Sequence, residues 1–224
     1  MGCSEEEINL VELLLATANK GKIAELQTLC KSANIIVYSI NDVNVPNLDV
    51  EETGKTFAEN AELKARAFAQ ATQLPVLADD SGLEVDALGG APGVKSARWV
   101  AGSDEDRNAA LLTELSGSTN RNARFKTVVC YLATPDSNPL FFDGEISGTI
   151  ATTPTGSEGF GYDPIFIPKG FTESFAQLGV ETKNRLSHRA KAFAKVVAHL
   201  QKKIIGRVHE TGLYSFKKGT GKLR

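Results

Sequence analysis

The sequence predicts an α/β protein, a core of strands and helices with an inserted hairpin and helix that make two lobes with a cleft between them. Three observations carry this. A strand, a helix and a strand follow one another within about thirty residues from Val11, the length of a βαβ unit. An alanine-striped helix then runs directly into an apolar strand that ends at Asp79. Further on, two long alternating segments flank Pro135-Asp136-Ser137-Asn138-Pro139, the composition of a hairpin turn.

In chain order, residues 11–16 are a short apolar run and read as a buried strand. Residues 20–32 place Ile23, Leu26, Leu29 and Cys30 at helical spacing. Residues 35–40 are β-branched and read as the next strand. Thr56-x-x-Glu59 is a capping-box pattern, and Ala58, Ala61, Ala65, Phe68 and Ala69 stripe the helix that follows to about Thr72. Ser103-x-x-Asp106 opens another helix, with Leu111, Leu112 and Leu115 on its buried face. Residues 125–134 and 140–152 form the hairpin. Residues 187–204 form the last helix, with Ala190, Phe193, Ala194, Val197 and Leu200 inward.

The 224 residues suffice for one domain with a substantial core, expected over residues 11–205. Residues 1–10 are expected to be a solvated tail and 206–224 a surface extension on which Leu213, Tyr214 and Phe216 can dock. With 42% hydrophobic and 23% charged residues the composition is that of a globular chain. A net charge of −2 gives no global field for a nucleic acid polymer, so an anionic ligand needs cations gathered at one site. No apolar run approaches membrane-spanning length, and the acidic start lacks a signal peptide's basic and apolar regions. Cys3, Cys30 and Cys130 show no CxxC spacing, which fits reduced thiols in the cytoplasm.

Four stretches can carry chemistry. The strand Pro75-Val76-Leu77-Ala78 ends in Asp79-Asp80-Ser81-Gly82. Adjacent carboxylates repel unless a cation sits between them or one is protonated, so the pair suits a hard divalent cation, magnesium first. An Asx-type turn explains the same residues. Glu51 or Glu52 fits as a further metal ligand, and Lys64, set between alanines, is either a surface lysine or a counter-charge to phosphate.

Thr17-Ala18-Asn19-Lys20-Gly21-Lys22 lies at a strand-to-helix turn, where free amides and lysines suit phosphate. Its glycine spacing is not that of a Walker A loop, and an N-capped turn with solvated lysines explains it too. Residues 156–164 surround Phe160 and Tyr162 with three glycines and Asp163, a loop able to present an aromatic face to a flat ligand. Base stacking there is worth about 1–3 kcal/mol. Residues 183–189 open the last helix with Ser187 as N-cap, but His188 and Arg189 put cations at the helix end that repels them. A rule broken with no local gain points to function.

In order along the chain these signatures are Thr17-x-Asn19-x-x-Lys22, then Asp79-Asp80-Ser81-Gly82-Leu83 with Gly89-Gly90-Ala91-Pro92-Gly93 and Ser96-Ala97-Arg98, then Phe160-Gly161-Tyr162-Asp163-Pro164, and Ser187-His188-Arg189. Together they resemble the inosine/xanthosine triphosphate pyrophosphatase (Ham1-like) family over about residues 11–203. Position 18 is Ala where many members have Gly. The resemblance implies an elongated mixed-sheet fold with two lobes around a central substrate cleft, a homodimer, and magnesium-dependent hydrolysis of purine nucleoside triphosphates to monophosphate and pyrophosphate. It implies that Thr17, Asn19 and Lys22, with Lys20 beside them, hold the phosphates. Asp80 would be metal ligand and proton acceptor, with Asp79, Glu51 or Glu52 completing the acidic cluster and Lys64 beside it. Ser81 would contact substrate, Phe160 would stack on the base within a pocket shaped by Gly161, Tyr162 and Asp163, and Lys183, His188 and Arg189 would reach the base edge or a phosphate. A silent nucleotide-binding module on the same fold and a phosphatase with an aspartyl nucleophile are the competing readings.

Overall fold

The computed structural model describes residues 11–31, 35–43 and 48–210, so the expectations for residues 1–10, for 211–224 and for Ser32 lie outside the described residues. The order is β1 (Val11–Leu15), α1 (Lys20–Lys31), β2 (Ile35–Ser39), α2 (Phe57–Thr72), β3 (Val76–Val85), α3 (Asp104–Glu114), β4 (Asn122–Leu132), β5 (Leu140–Ile150), β6 (Phe166–Pro168), α4 (Phe175–Leu186) and α5 (His188–Glu210). The strands form one mixed sheet in the order β2-β1-β3-β4-β5-β6. β1 runs parallel to β2 and β3, and the later pairs are antiparallel.

Alternation on β1, β3 and β4 divides the first lobe into two cores. Leu13, Leu15, Leu77, Val129 and Tyr131 pack under α1 and α5 with Leu26, Phe193 and Leu200. Leu14, Ala16, Val76, Ala78, Cys130 and Leu132 pack under α2 with Ala61, Ala65 and Phe68. A third core belongs to the second lobe, where Leu83, Val85, Phe125 and Ile146 meet Leu111, Leu115, Phe166 and Phe175. β4 and β5, eleven residues each, span both lobes, which accounts for an elongated molecule.

The structure departs from the sequence expectation in four places. The hairpin is no insertion, because β4 pairs with β3 from Val76–Leu132 to Val85–Ala123. β3 does not end at Asp79 but runs ten residues to Val85, so Ser81-Gly82 is strand and not turn. Residues 183–186 end a separate helix, α4, rather than open the last one. α4 is interrupted at Gly179 (φ 82°), which hid its period, although Ser174 and Gln177 form a reciprocal cap. Finally, α5 continues to Glu210, past the boundary at 205, and Ala194 is exposed while Ala192 and Val196 are buried.

The caps follow the sequence closely. Ser103 and Asp106 satisfy each other's amides in a reciprocal box. At α2 only half forms: Thr56 accepts from the Glu59 amide, but the Glu59 carboxylate accepts from the Lys55 amide at 2.6 Å. Cys30 and Cys130 are buried and form no disulfide among the described residues, and burial pushes their thiols up to about 11 and about 12.

Candidate active site

β1 meets β3 only at Leu14–Val76 and Leu15–Leu77. Beyond that the chain leaves the sheet as residues 16–19 and begins α1. The Asn19 carboxamide oxygen accepts from the Lys22 amide at 3.0 Å, and the Thr17 hydroxyl accepts from the Asn19 amide at 3.2 Å. The turn is therefore N-capped, and its remaining helix amides stand beside the side chains of Lys20 and Lys22 at the cleft. Gly21 has a steric reason: a Cβ there would lie 2.5 Å from the Phe160 ring. Its absence brings the aromatic loop onto the first turn of α1.

Adjacent strand residues point to opposite faces, and this separates the two carboxylates. Asp79 continues the Leu77 face. Its Oδ2 meets Lys22 Nζ at 2.9 Å and Arg189 Nε at 3.5 Å, and accepts from the Ser81 hydroxyl at 2.7 Å. Burial alone would raise the Asp79 pKa, but Lys22, Arg189 and Lys64 together hold it well below the usual range. Asp80 continues the Ala78 face, toward α2. Its carboxylate accepts from Asn60 Nδ2 at 3.0 Å and lies 3.8 Å from Lys64 Nζ. Burial wins there and shifts the Asp80 pKa upward.

Lys64 also reaches Glu52 at 2.5 Å, and Arg98 holds the other Glu52 oxygen at 2.9 Å. Glu51 is exposed, outside this cluster. Thus Asp80, Glu52 and Lys64 form one group, while Asp79 belongs to a different one on the far face of β3. Among the described residues no group of three or more His, Cys, Asp or Glu side chains is arranged to hold a metal ion.

Across the cleft, Asp163 Oδ2 accepts from the Phe160 amide at 2.8 Å and from Lys183 Nζ at 2.5 Å. Tyr162 is buried, its hydroxyl donating to the Ser96 carbonyl at 3.0 Å. Lys183 Nζ sits 4.1 Å and the Arg189 guanidinium 5.2 Å from the Phe160 ring centre. The ring is thus half-buried among cations rather than freely exposed. Both cations bind one buried carboxylate: Glu25 takes Lys183 at 2.8 Å and Arg189 at 2.7 Å.

This explains the cation at Arg189, whose charge at the unfavourable end of α5 is offset by Glu25 and Asp79. His188, expected to be a second cation there, is buried and neutral: Arg189 and His188 are 4% and 2% exposed. His188 stacks on Phe125 with ring centres 4.9 Å apart, and its Nδ1 has no hydrogen-bond partner among the described residues. Burial, then Arg189 and Lys183, hold its pKa well below 6.5.

A neutral buried His188 has a thermodynamic signature. Below about pH 6.5 the unfolded chain binds a proton that the folded chain refuses, so stability falls as pH falls from 7 to 5. Chemical denaturation of His188→Gln is expected to show a slope shallower by about one proton over that window. Identical slopes in the two proteins would mean that His188 titrates alike in the folded and unfolded chain.

The lining of the cleft, about 390 Å³, includes Asn19, Lys20, Lys22, Ser81, Phe160, Gly161, Tyr162, Asp163, Lys183, His188 and Arg189, and also Asp104 and Arg107 of α3. Thr17, half-buried, lies just outside this lining, as do Asp79, paired with Lys22, and Asp80, Lys64 and Glu52, grouped on the α2 side of β3. A larger open hollow of about 520 Å³ between β4, β5 and β6 contains none of these residues. The sequence reading missed Glu25, Asn60, Asp104 and Asn108. Glu25 was legible in principle, since it occupies the apolar face of α1 beside Leu26.

The chain is similar to known proteins over most of its length. A sequence model of the Ham1 family matches residues 13–199. A dITP/XTP pyrophosphatase of Streptomyces avermitilis is 47% identical over 193 residues, 84% of this chain and 96% of that protein. One of Symbiobacterium thermophilum is 45% identical, covering 84% and 94%. The Staphylococcus aureus Ham1 protein structure superposes with a TM-score of 0.76 at 42% identity, over 86% of this chain and 99% of that one. A dITP/XTP pyrophosphatase of Mycobacterium abscessus superposes at 0.67 with 40% identity, over 83% and 98%.

Proposed function

The chain belongs to the Ham1 family, and from that premise we propose that it hydrolyses the non-standard purine nucleoside triphosphates ITP, dITP and XTP to the monophosphate and pyrophosphate. One observation carries the proposal. The cleft joins a cationic strand-to-helix turn, suited to phosphate, to an aromatic ring that rests on that same turn at Gly21. A triphosphate on residues 17–22 and a base on Phe160 fit the two ends of one purine nucleotide.

In the reaction a water oxygen bonds to the α-phosphorus while the bridging α–β oxygen leaves with pyrophosphate. Asp80 takes the water's proton. Lys22 and Lys64, on opposite faces of β3, offset phosphate charge, and Lys64 also orients Asp80 and Glu52. Magnesium is held characteristically by one or two carboxylates plus substrate phosphates, so Asp80 would hold it, with Glu52 as a second carboxylate once Lys64 and Arg98 yield its oxygens. When bound it supplies charge stabilisation at the phosphates. The exposure of Glu51 favours Glu52 as the second carboxylate.

For the base, side-chain donors at His188 and Arg189 would favour a six-oxo purine, and an adenine amino group would leave them unpaired. The resemblance also supports a homodimer in the cytoplasm. No helix among the described residues is long and apolar enough to cross a membrane. Light scattering tests the dimer.

The deciding assay is pyrophosphate release at alkaline pH from ITP, dITP, XTP, GTP and ATP, with magnesium and with a chelator. Release from the first three that the chelator abolishes supports the reading. Tight binding without release would leave a silent binding module, and orthophosphate as first product would point to an aspartyl nucleophile. Phe160→Ala is expected to raise KM for ITP more than it lowers kcat, by roughly 5- to 150-fold if stacking contributes about 1–3 kcal/mol. An unchanged KM would remove Phe160 from base binding.

A further inference from the structure

The loop that presents Phe160 is rich in glycine, so its own backbone does little to stiffen it. Gly161 adopts φ 64°, a left-handed conformation open to glycine and strained for other residues. Two side chains of α3 grip this residue. Asp104 Oδ2 accepts from the Gly161 amide at 2.6 Å, and Asn108 Nδ2 donates to the Gly161 carbonyl at 3.1 Å. They are four residues apart and share one face of the helix. Both polar groups of a single backbone residue are thereby fixed from one rigid element.

The grip is itself supported. Asp104 pairs through its other oxygen with Arg107, which also donates to the Gly102 carbonyl at 2.8 Å. The Ser103–Asp106 cap fixes the start of α3, and Leu111 and Leu115 anchor it in the second core. Asn108 is 3% exposed, and its Oδ1 has no hydrogen-bond partner among the described residues. A half-satisfied buried amide is costly where an apolar side chain would serve the core. What the amide gives in return is the bond to Gly161.

We propose that Asp104 and Asn108 are positioning residues for base recognition, clamping Gly161 and thereby fixing the Phe160 ring and the width of the base slot. The clamp has a second consequence. The Gly161 amide is taken by Asp104 and the Phe160 amide by Asp163, so neither is free to donate to the base. Recognition of a six-oxo group then falls to donors outside these two residues. The effect on KM rests on the function proposed above, whereas the clamp does not.

The test uses the full chain and the variants Asp104→Ala, Asp104→Asn and Asn108→Asp. Asparagine at 104 still offers an acceptor to the Gly161 amide but gives up the charge. Aspartate at 108 keeps the size but turns an acceptor toward the Gly161 carbonyl. Asp104→Ala and Asn108→Asp are expected to raise KM for ITP by roughly tenfold or more, with a smaller change in kcat. Asp104→Asn is expected to raise KM at least about threefold less than Asp104→Ala. Inhibition by inorganic pyrophosphate, which reads the phosphate end alone, is expected to shift by less than about threefold.

Deuterium exchange over residues 157–163 is expected to quicken roughly tenfold in Asp104→Ala and in Asn108→Asp. Equal KM in Asp104→Ala and Asp104→Asn would overturn the proposal, as would exchange at the wild-type rate in both Asp104→Ala and Asn108→Asp. If Asp104→Ala does not fold, Asn108→Asp and Asp104→Asn decide. If the wild type releases no pyrophosphate from any purine nucleotide, the function fails and the exchange arm still judges the clamp.

Discussion

Asp80→Asn is expected to lower kcat for pyrophosphate release by roughly 10²–10⁴-fold, the range for loss of a positioned proton acceptor, with no loss of thermal stability. The amide keeps the size of the carboxylate and one oxygen to accept from the Ser81 amide, which now donates at 3.0 Å. It removes a charge that is 5% exposed and whose nearest cation is 3.8 Å away. Burying the charge is costly, but the Asn60 and Ser81 donors and Lys64 offset part of that cost, so the variant is expected to melt near the wild-type temperature. Asp79→Asn is expected to behave in the opposite sense. Its carboxylate balances Lys22 and Arg189, and breaking a buried pair costs about 3–5 kcal/mol. Activity assays and thermal melts on the two variants separate a catalytic carboxylate from a structural one. A fall in kcat below about tenfold in Asp80→Asn would remove it as the proton acceptor.

That contrast shows where the sequence stopped being legible. Local signals were read well: the stripes of α1 and α2, the cap at Ser103, and the N-cap at Ser187, whose hydroxyl accepts from the Ala190 amide at 3.2 Å. The pair Asp79-Asp80 misled because two carboxylates after an apolar run look like a strand end. In fact β4 pairs with every residue from Val76 to Val85, and a paired strand sends neighbouring side chains to opposite faces. Which face each carboxylate met depended on α1, α2 and α5, which no local pattern specifies. The same holds for Lys183: it closes α4 rather than opening α5, and only the packing of α1 against these helices brings Glu25 to it. Residues whose work is to hold another residue, such as Asn60 on Asp80 or Asp104 on Gly161, carry no motif of their own. They become visible only as distances.

Glu25→Ala is expected to cost about 3–5 kcal/mol of stability, because it removes a buried carboxylate shared by two buried cations. Glu25 is 6% exposed, and its two oxygens are divided between Lys183 and Arg189. Without it, Lys183 keeps Asp163 and Arg189 keeps only the longer contact to Asp79. Burial on its own would raise the Glu25 pKa, but Arg189 and Lys183 outweigh it and hold the carboxyl below its ordinary value of 4.5. For a depressed acid the stabilisation is complete above the unfolded value and drains away as pH falls through the folded one. The wild type is therefore expected to lose stability more steeply than Glu25→Gln as pH drops below about 4.5. The glutamine variant keeps the shape and loses the charge, so it is expected to fold better than the alanine variant while still loosening both cations. Since those cations flank Phe160 at 4.1 and 5.2 Å, its KM for ITP is expected to rise as well. Denaturant titrations from pH 3 to pH 7 decide the matter: equal slopes in wild type and Glu25→Gln, or a loss below about 1 kcal/mol in Glu25→Ala, would show that Lys183 and Arg189 are held by the rest of the fold and not by this carboxylate.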